Sequence, residues 1–249
     1  MNLEGKVALV TGGTMGIGAA IALDLARRGA QLSICARHLG EEARETEAAI
    51  KATGRRVHLM SLDLARAEDC IQAIEQTVAH FGRLDVLIHN AGGPSFGKIE
   101  DVSAEQWQQT MALHVDANFH LCKAALPHLR KGGEGAIVTV SSTAGIRGVP
   151  GAIAYATAKG AVLQFTRSLA RDLADDNIRV NSIVPGVIRT RFHKDMPQER
   201  KEFNLKHRIP LHREGTAEQV AEAVALLVTN DYITGESIVI DGGLTSRIT

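Results

Sequence analysis

The chain has 249 residues, 45% of them hydrophobic, with 28 Lys and Arg balanced by 28 Asp and Glu. A formal net charge of zero excludes a global field that would hold nucleic acid or an anionic membrane surface. No apolar run reaches the roughly 20 residues a membrane helix needs, and Met1-Asn2-Leu3-Glu4 leads into a strand-like run without a signal-peptide pattern. The three cysteines, Cys35, Cys70 and Cys122, are scattered and odd in number. They read as small core residues in a reducing compartment rather than a disulfide framework. The expectation is a soluble cytoplasmic protein with no nucleic-acid or membrane partner. The length allows one large α/β domain or two small ones. With no internal repeat, low-complexity tract or linker to divide it, residues 1–249 read as a single domain.

Lys6–Val10 is a short apolar run that predicts the first strand. It ends at Thr11-Gly12-Gly13-Thr14-Met15-Gly16-Ile17-Gly18, and an Ala/Leu-rich amphipathic helix follows to Arg28, stopped by Gly29. A strand, a glycine turn and a helix in succession let a pyrophosphate approach bare backbone and meet the unpaired N–H groups of the helix start. The spacing is G-x-x-x-G-x-G rather than G-x-G-x-x-G, and an ordinary tight βα turn is the other reading. The second strand, Gln31–Ala36, runs into Arg37-His38, with no acid before Glu41. An acid near this strand end binds ribose hydroxyls, whereas an arginine accommodates a 2′-phosphate. Arg37 therefore favours NADP over NAD, unless it is a plain surface arginine.

The βα rhythm continues with a helix over Glu41–Ala52, a strand over Val57–Ser61 leading to Asp63-Leu64, and a helix over Glu68–Phe81. Strand Val86–His89 closes on Asn90-Ala91-Gly92-Gly93. Asp63 either caps the next helix or touches an adenine ring. Asn90 and its glycines either pass the backbone close to a cofactor or merely turn it. Ser103-Ala104-Glu105-Gln106 predicts a capping box opening a helix to about Leu129. Strand Ala136–Ser141, then Ser142 and a short loop, precede a helix over Ile153–Asp172 and a strand over Arg179–Val184. Pro185–Gly215 breaks the rhythm and reads as a mobile cover over a pocket, with His193, His207 and His212 in it. A second capping box, Thr216-Ala217-Glu218-Gln219, opens the last helix, and Ser237–Ile240 is the last strand.

The chemistry sits in the stretch from Ser142 to Lys159. Residues four apart share a helix face, so Tyr155-x-x-x-Lys159 presents a phenol and an ammonium to one pocket. An isolated phenol has a pKa of about 10, and a fixed cation beside it is expected to lower that value. Ser142 is placed to hold a substrate oxygen while Tyr155 moves a proton. No H-E-x-x-H motif or Cys/His cluster appears, so no metal site is expected.

Alternating strands and helices imply an α/β, three-layer, doubly wound parallel sheet of Rossmann type, with ligands at the carboxyl ends of the strands. Gly12–Gly18, Arg37, Asp63, Asn90, Ser142 and Pro185-Gly186 each follow a predicted strand, so all fall on that one edge. With these residues in view the whole chain resembles the short-chain dehydrogenase/reductase family. Thr11-Gly12-x-x-x-Gly16-x-Gly18 matches its cofactor motif, and His89-Asn90-Ala91-Gly92 is similar to its N-N-A-G segment with the first Asn changed. Ser142, Tyr155 and Lys159 match its catalytic serine, tyrosine and lysine. Pro185-Gly186-x-Ile188-x-Thr190 and Tyr232-Ile233-Thr234-Gly235…Asp241-Gly242-Gly243 match two further segments.

The resemblance implies hydride transfer between a nicotinamide dinucleotide and a small-molecule carbonyl or alcohol. Tyr155 would be the acid/base, Ser142 the orienter, and Lys159 would hold the nicotinamide ribose and lower the tyrosine pKa. It also implies cofactor contacts from Gly12, Thr14, Met15, Gly16, Ile17, Gly18, Asp63, Leu64, Asn90, Ala91, Gly92, Pro185, Gly186, Ile188 and Thr190, and a homotetramer built on the long helices. His114 stands where the family usually has an asparagine whose main-chain carbonyl holds a relay water. It is either a proton-handling residue or a plain interior histidine. Reduction of 3-oxoacyl groups on acyl carrier protein is an alternative activity, and a dinucleotide sensor or scaffold without chemistry is another. The basic positions that dock the acidic carrier align with Gly133 and Asp176, and an acid there repels such a partner, with Arg130 and Lys131 close by in partial compensation.

Overall fold

A computed structural model describes residues 1–190 and 197–246. Its elements are β1 (Val7–Thr11), α1 (Gly16–Arg27), β2 (Gln31–Ala36), α2 (Glu41–Ala52), β3 (Val57–Ser61), α3 (Ala67–Phe81) and β4 (Val86–His89). Then come α4 (Ala104–Met111), a π turn (Ala112–Asp116), α5 (Ala117–Lys131), β5 (Gly135–Val140), α6 (Ile153–Asp172), β6 (Ile178–Pro185), α7 (Gln198–Phe203), α8 (Ala217–Thr229) and β7 (Ser237–Ile240). The seven strands form one sheet in the order β3-β2-β1-β4-β5-β6-β7, parallel throughout. The order reverses between β1 and β4, which opens a crevice at their carboxyl ends.

Both faces of the sheet are covered, so the strands read as continuous apolar runs rather than alternating ones. Ala8, Val10, Val86, Ile88, Ala136 and Val138 pack toward Ile21 and Leu25 of α1, Ile50 of α2 and Val224 of α8. Their neighbours Leu9, Leu87, Ile137 and Val180 pack toward Ile74 of α3 and Leu121 and Leu129 of α5. This is the expected three-layer α/β architecture. The three cysteines are free and buried, and among the described residues no helix is long and apolar enough to cross a membrane.

Two expectations need correction. The helix predicted over 103–129 is broken into α4 and α5 by the π turn at 112–116. Ser103 does cap α4, accepting from Gln106 N at 3.1 Å. The Gln106 side chain does not reach back to complete the box; it donates to Ser95 Oγ and Phe96 O instead. At the described flanks of the expected cover segment, Arg189 N donates to Gly215 O and Gly215 N to Val187 O, and α7 lies between them. His193 lies outside the described residues.

The amino-end edge of the sheet holds a buried charge. The Asp85 side chain is fully buried and accepts from Val7 N at 2.9 Å and from Arg83 Nε and Nη2 at 2.8 and 2.6 Å. Asp85→Ala leaves the Val7 N–H buried and unpaired, so a loss of about 3 kcal/mol of unfolding free energy is expected. Urea denaturation measures it, and dinucleotide affinity should be unchanged because the site lies at the opposite edge.

Candidate active site

The carboxyl edge gathers the predicted residues. Thr11 ends β1, and Gly12 to Met15 turn into α1, whose first residues are Gly16, Ile17 and Gly18. The turn is tied down by Thr46 Oγ1, which donates to Thr14 O at 3.0 Å. Gly18 has no substitute there: a Cβ on it would lie 2.0 Å from Gly12 O. No side chain caps α1 and no acid stands in its first turn, so its leading N–H groups and positive dipole end are open to an anion. A cleft of about 500 Å³ beside it is lined by Thr14, Met15, Gly16, Arg189 and Thr190, but also by Glu42, Glu45 and Glu218. The glycine turn and the start of α1, rather than the acidic side of this cleft, fit a dinucleotide pyrophosphate.

Arg37 follows β2, exposed, and among the described residues no ion pair engages its guanidinium. Asp63 and Leu64 follow β3. Of the two readings of Asp63, capping is not what the structure has: its carboxylate accepts from Ala65 N at 3.2 Å, while Arg66 occupies the N-cap of α3. Asn90 ties the two central strands across the crevice, its Nδ2 donating to Thr11 O and Gly12 O at 3.1 Å. Ala91 and Gly92 follow it, and a Cβ on Gly92 would lie 2.6 Å from His114 Cε1. Pro185 ends β6, and Gly186 N donates to Ile240 O at 2.9 Å. Ile188 is buried and Thr190 is partly exposed.

Ser142 lies two residues beyond the end of β5 and caps a single 3₁₀ turn, accepting from Ala144 N at 3.2 Å. Its hydroxyl also acts on the Tyr155 phenol, favouring the ionised form. Both Tyr155 and Lys159 come from α6. Lys159 Nζ is buried, donates to Val140 O at 2.7 Å and lies 5.7 Å from the centre of the Tyr155 ring. Ser141 Oγ donates to Lys159 O at 2.7 Å, fixing this turn of α6 against the end of β5. The structure therefore brings serine, phenol and ammonium together.

The electrostatics differ from the expectation. Burial raises the Tyr155 phenol above its ordinary value, partly offset by the Ser142 hydroxyl, and no lowering by Lys159 is evident. Burial also pushes Lys159 down to about 7. The cation that was expected to depress the phenol is itself costly to keep charged in this setting. A phenol so raised is a weaker acid than an isolated one and lies further from the value near operating pH that favours proton transfer, so burial by itself selects neither direction of the reaction.

His114 sits in the π turn with its Nε2 3.0 Å from Gly93 O, and its ring meets the Tyr155 ring edge-on at 5.5 Å and 88°. Its main-chain carbonyl accepts from Asn118 Nδ2 at 2.8 Å. Burial first, and then the charge on Lys159, lower its pKa to about 3, so it stays neutral at working pH. His89, marked in the sequence only as the changed first residue of the His89-Asn90-Ala91-Gly92 segment, is buried at the end of β4 with Nδ1 2.9 Å from Thr11 Oγ1. The available signal was a polar ring closing an otherwise apolar strand. Among the described residues no cluster of three or more His, Cys, Asp or Glu is arranged to hold a metal.

Residues 12–245 match the family model described as Enoyl-(Acyl carrier protein) reductase. A human relative, dehydrogenase/reductase SDR family member 4, is 38% identical over 99% of this chain and 90% of its own length. The chain belongs to the short-chain dehydrogenase/reductase family. Another short-chain relative, the 3-oxoacyl-(acyl-carrier-protein) reductase of Thermotoga maritima, is 35% identical over 98% of this chain and 99% of its own. Among solved short-chain dehydrogenase/reductase-like structures, L-sorbose reductase from Gluconobacter frateurii, complexed with NADPH and L-sorbose, superposes with a TM-score of 0.93 at 30% identity. That match covers 100% of this chain and 99% of the other. The chain is thus an oxidoreductase of this family, with a nicotinamide cofactor.

Proposed function

We propose that the protein is an NADP(H)-dependent ketoreductase, or alcohol dehydrogenase in reverse, for a free small molecule. The observation that carries this reading is the convergence of Ser142, Tyr155 and the buried Lys159, whose Nζ lies 5.7 Å from the centre of the Tyr155 ring, at the sheet edge that also bears the glycine turn. The cofactor, when bound, supplies or accepts the hydride. Ser142 holds the substrate oxygen, Tyr155 gives it a proton in reduction and takes one in oxidation, and Lys159 is the residue that would hold the nicotinamide ribose. Arg37 would meet the 2′-phosphate of NADP. Asn90, Ala91 and Gly92 on one side, and Pro185, Gly186, Ile188 and Thr190 on the other, would flank the nicotinamide half. The outward faces of α4, α5 and α6 carry the exposed apolar residues Trp107, Phe119 and Ile153, which supports a homotetramer through these helices. The three buried free thiols support a cytoplasmic, reducing location.

Reduction of an acyl-carrier substrate is the second reading, favoured by the 35% identity to the Thermotoga enzyme. Against it, Arg130 does offset the acid there, pairing with Asp176 at 2.8 Å, but a neutral pair leaves no net positive charge for an acidic carrier to dock on. A sensor without chemistry would have no use for a serine, a tyrosine and a lysine brought together in this way. The test is a panel of ketones and alcohols, with a 3-oxoacyl carrier substrate included, followed by nicotinamide absorbance with both cofactors. Turnover of free ketones with NADPH is expected; preference for the carrier substrate would reverse the ranking.

Lys159 gives a pH prediction. In the free protein its pKa is lowered to about 7, so it is largely neutral at pH 8 and charged at pH 6. Binding an anionic cofactor favours the charged form. Proton uptake on NADPH binding is therefore expected at pH 8 and not at pH 6, read by calorimetry in buffers of different ionisation enthalpy. Lys159→Met should remove it; uptake that persists in that variant would assign the proton elsewhere.

A further inference from the structure

Beyond β7 the chain folds into a tight turn, residues 241–245, that no step of the proposed reaction uses. The Asp241 carboxylate holds it closed. Its Oδ1 accepts from Gly243 N at 2.8 Å, and its Oδ2 accepts from Thr245 N and Thr245 Oγ1, both at 2.7 Å. Segments from distant parts of the chain meet this turn on three sides. Gly186, just past β6, lies so close that a Cβ on it would stand 2.6 Å from Asp241 Cβ. The far end of the cover segment is bonded to the turn: Leu211 N donates to Gly242 O at 3.1 Å, and a Cβ on Gly243 would stand 2.9 Å from Pro210 Cγ. On the third side Arg147 Nη2 donates to Thr245 O at 2.9 Å.

Arg147 belongs to the turn that starts at Ser142. Gly145 N donates to Ser142 O at 2.8 Å, and Arg147 N donates to Thr143 O at 3.0 Å. Gly145 is pressed against α6, where a Cβ on it would stand 2.7 Å from Lys159 O. The backbone at Arg147 is therefore fixed to the Ser142 and Lys159 side of the site, while its guanidinium crosses to the turn that holds the cover. Among the described residues no carboxylate pairs with that guanidinium, although the side chain lies on the surface.

We propose that Arg147 is a positioning residue for the substrate: by pinning the 241–245 turn to the Ser142 turn, it fixes how far the cover end at 209–211 stands from Ser142 and Tyr155, and so how tightly a ketone is held. The tie acts on substrate binding rather than on the proton transfer. Cutting it leaves Ser142 bonded to Ala144 N and Lys159 bonded to Val140 O. It needs a donor at the end of a long side chain, which lysine also supplies. The inference rests on the proposed ketone reduction.

The test compares Arg147→Ala and Arg147→Lys with the native protein by steady-state kinetics on a ketone, NADPH fluorescence titration, and amide hydrogen exchange of peptides covering 205–213 and 241–246. Arg147→Ala should raise the KM for the ketone about threefold to tenfold, the scale of one lost hydrogen bond, with kcat and NADPH affinity each within about twofold. Exchange in both peptides should quicken by a similar factor, because the tie limits their local opening. Arg147→Lys should keep both readouts near native. An unchanged KM or unchanged exchange in Arg147→Ala would overturn the proposal. So would a lysine variant that restores neither, or an NADPH affinity that falls in step with KM. Native protein that reduces no ketone sinks the proposed function instead, and exchange still decides whether Arg147 holds the turn.

Discussion

Tyr155→Phe lowers kcat by about a thousandfold or more, the scale of a lost general acid, while NADPH affinity stays within about twofold. The change removes one oxygen and keeps the ring. The edge-on contact with His114 survives, as do the bonds of Lys159 to Val140 O and Ser141 Oγ. What is lost is the proton that burial keeps on the phenol and the influence of the Ser142 hydroxyl on it. Neither neighbour replaces it: His114 is neutral, with its one proton committed to Gly93 O, and the Ser142 hydroxyl is a far weaker acid. Steady-state turnover and a fluorescence titration of NADPH measure both halves of the expectation. A variant that keeps a tenth of the native kcat would remove Tyr155 from the chemistry.

Arg37→Asp should reverse cofactor preference. The residue is exposed just past β2 and its guanidinium holds nothing else together among the described residues, so stability should not change. A charge-assisted hydrogen bond is worth about 1.5–3 kcal/mol, and an added carboxylate repels the 2′-phosphate while offering acceptors to free ribose hydroxyls. The ratio of kcat/KM with NADP(H) to that with NAD(H) should therefore fall by about a hundredfold or more. An unchanged ratio would take Arg37 out of the phosphate site.

Much of this molecule is legible in its sequence. Strands β2, β3, β4 and β7 and helix α2 fall on the predicted residues because each is a short apolar or amphipathic run bounded by turn residues. Ser142, Tyr155 and Lys159 are legible because a four-residue helical spacing and a strand end agree with the family motifs elsewhere in the chain; the spacing alone is also that of an ordinary helix surface. The parts that are not legible depend on contacts distant in sequence. Nothing between Ser103 and Leu129 marks a π turn; it is seen in space, where His114 bonds to Gly93 O and Asn118 bonds to His114 O. Gln106 has the right spacing for a capping box, but Ser95 and Phe96 compete for its amide and win. The pKa of Tyr155 follows burial, which spacing does not report, so a neighbouring lysine alone suggested the wrong direction. The contact of His89 with Thr11 exists only because β1 and β4 lie side by side.

The central claim is that a hydride passes at the carboxyl edge of this sheet to a carbon whose oxygen Tyr155 protonates. Reduction of a ketone with NADPH carrying deuterium at the nicotinamide C4 position, followed by mass spectrometry of the product, tests it most directly. The account predicts one deuterium on the carbinol carbon, from one of the two C4 faces only. NADPH oxidation that leaves the product unlabelled, or no reaction with any ketone, would contradict it.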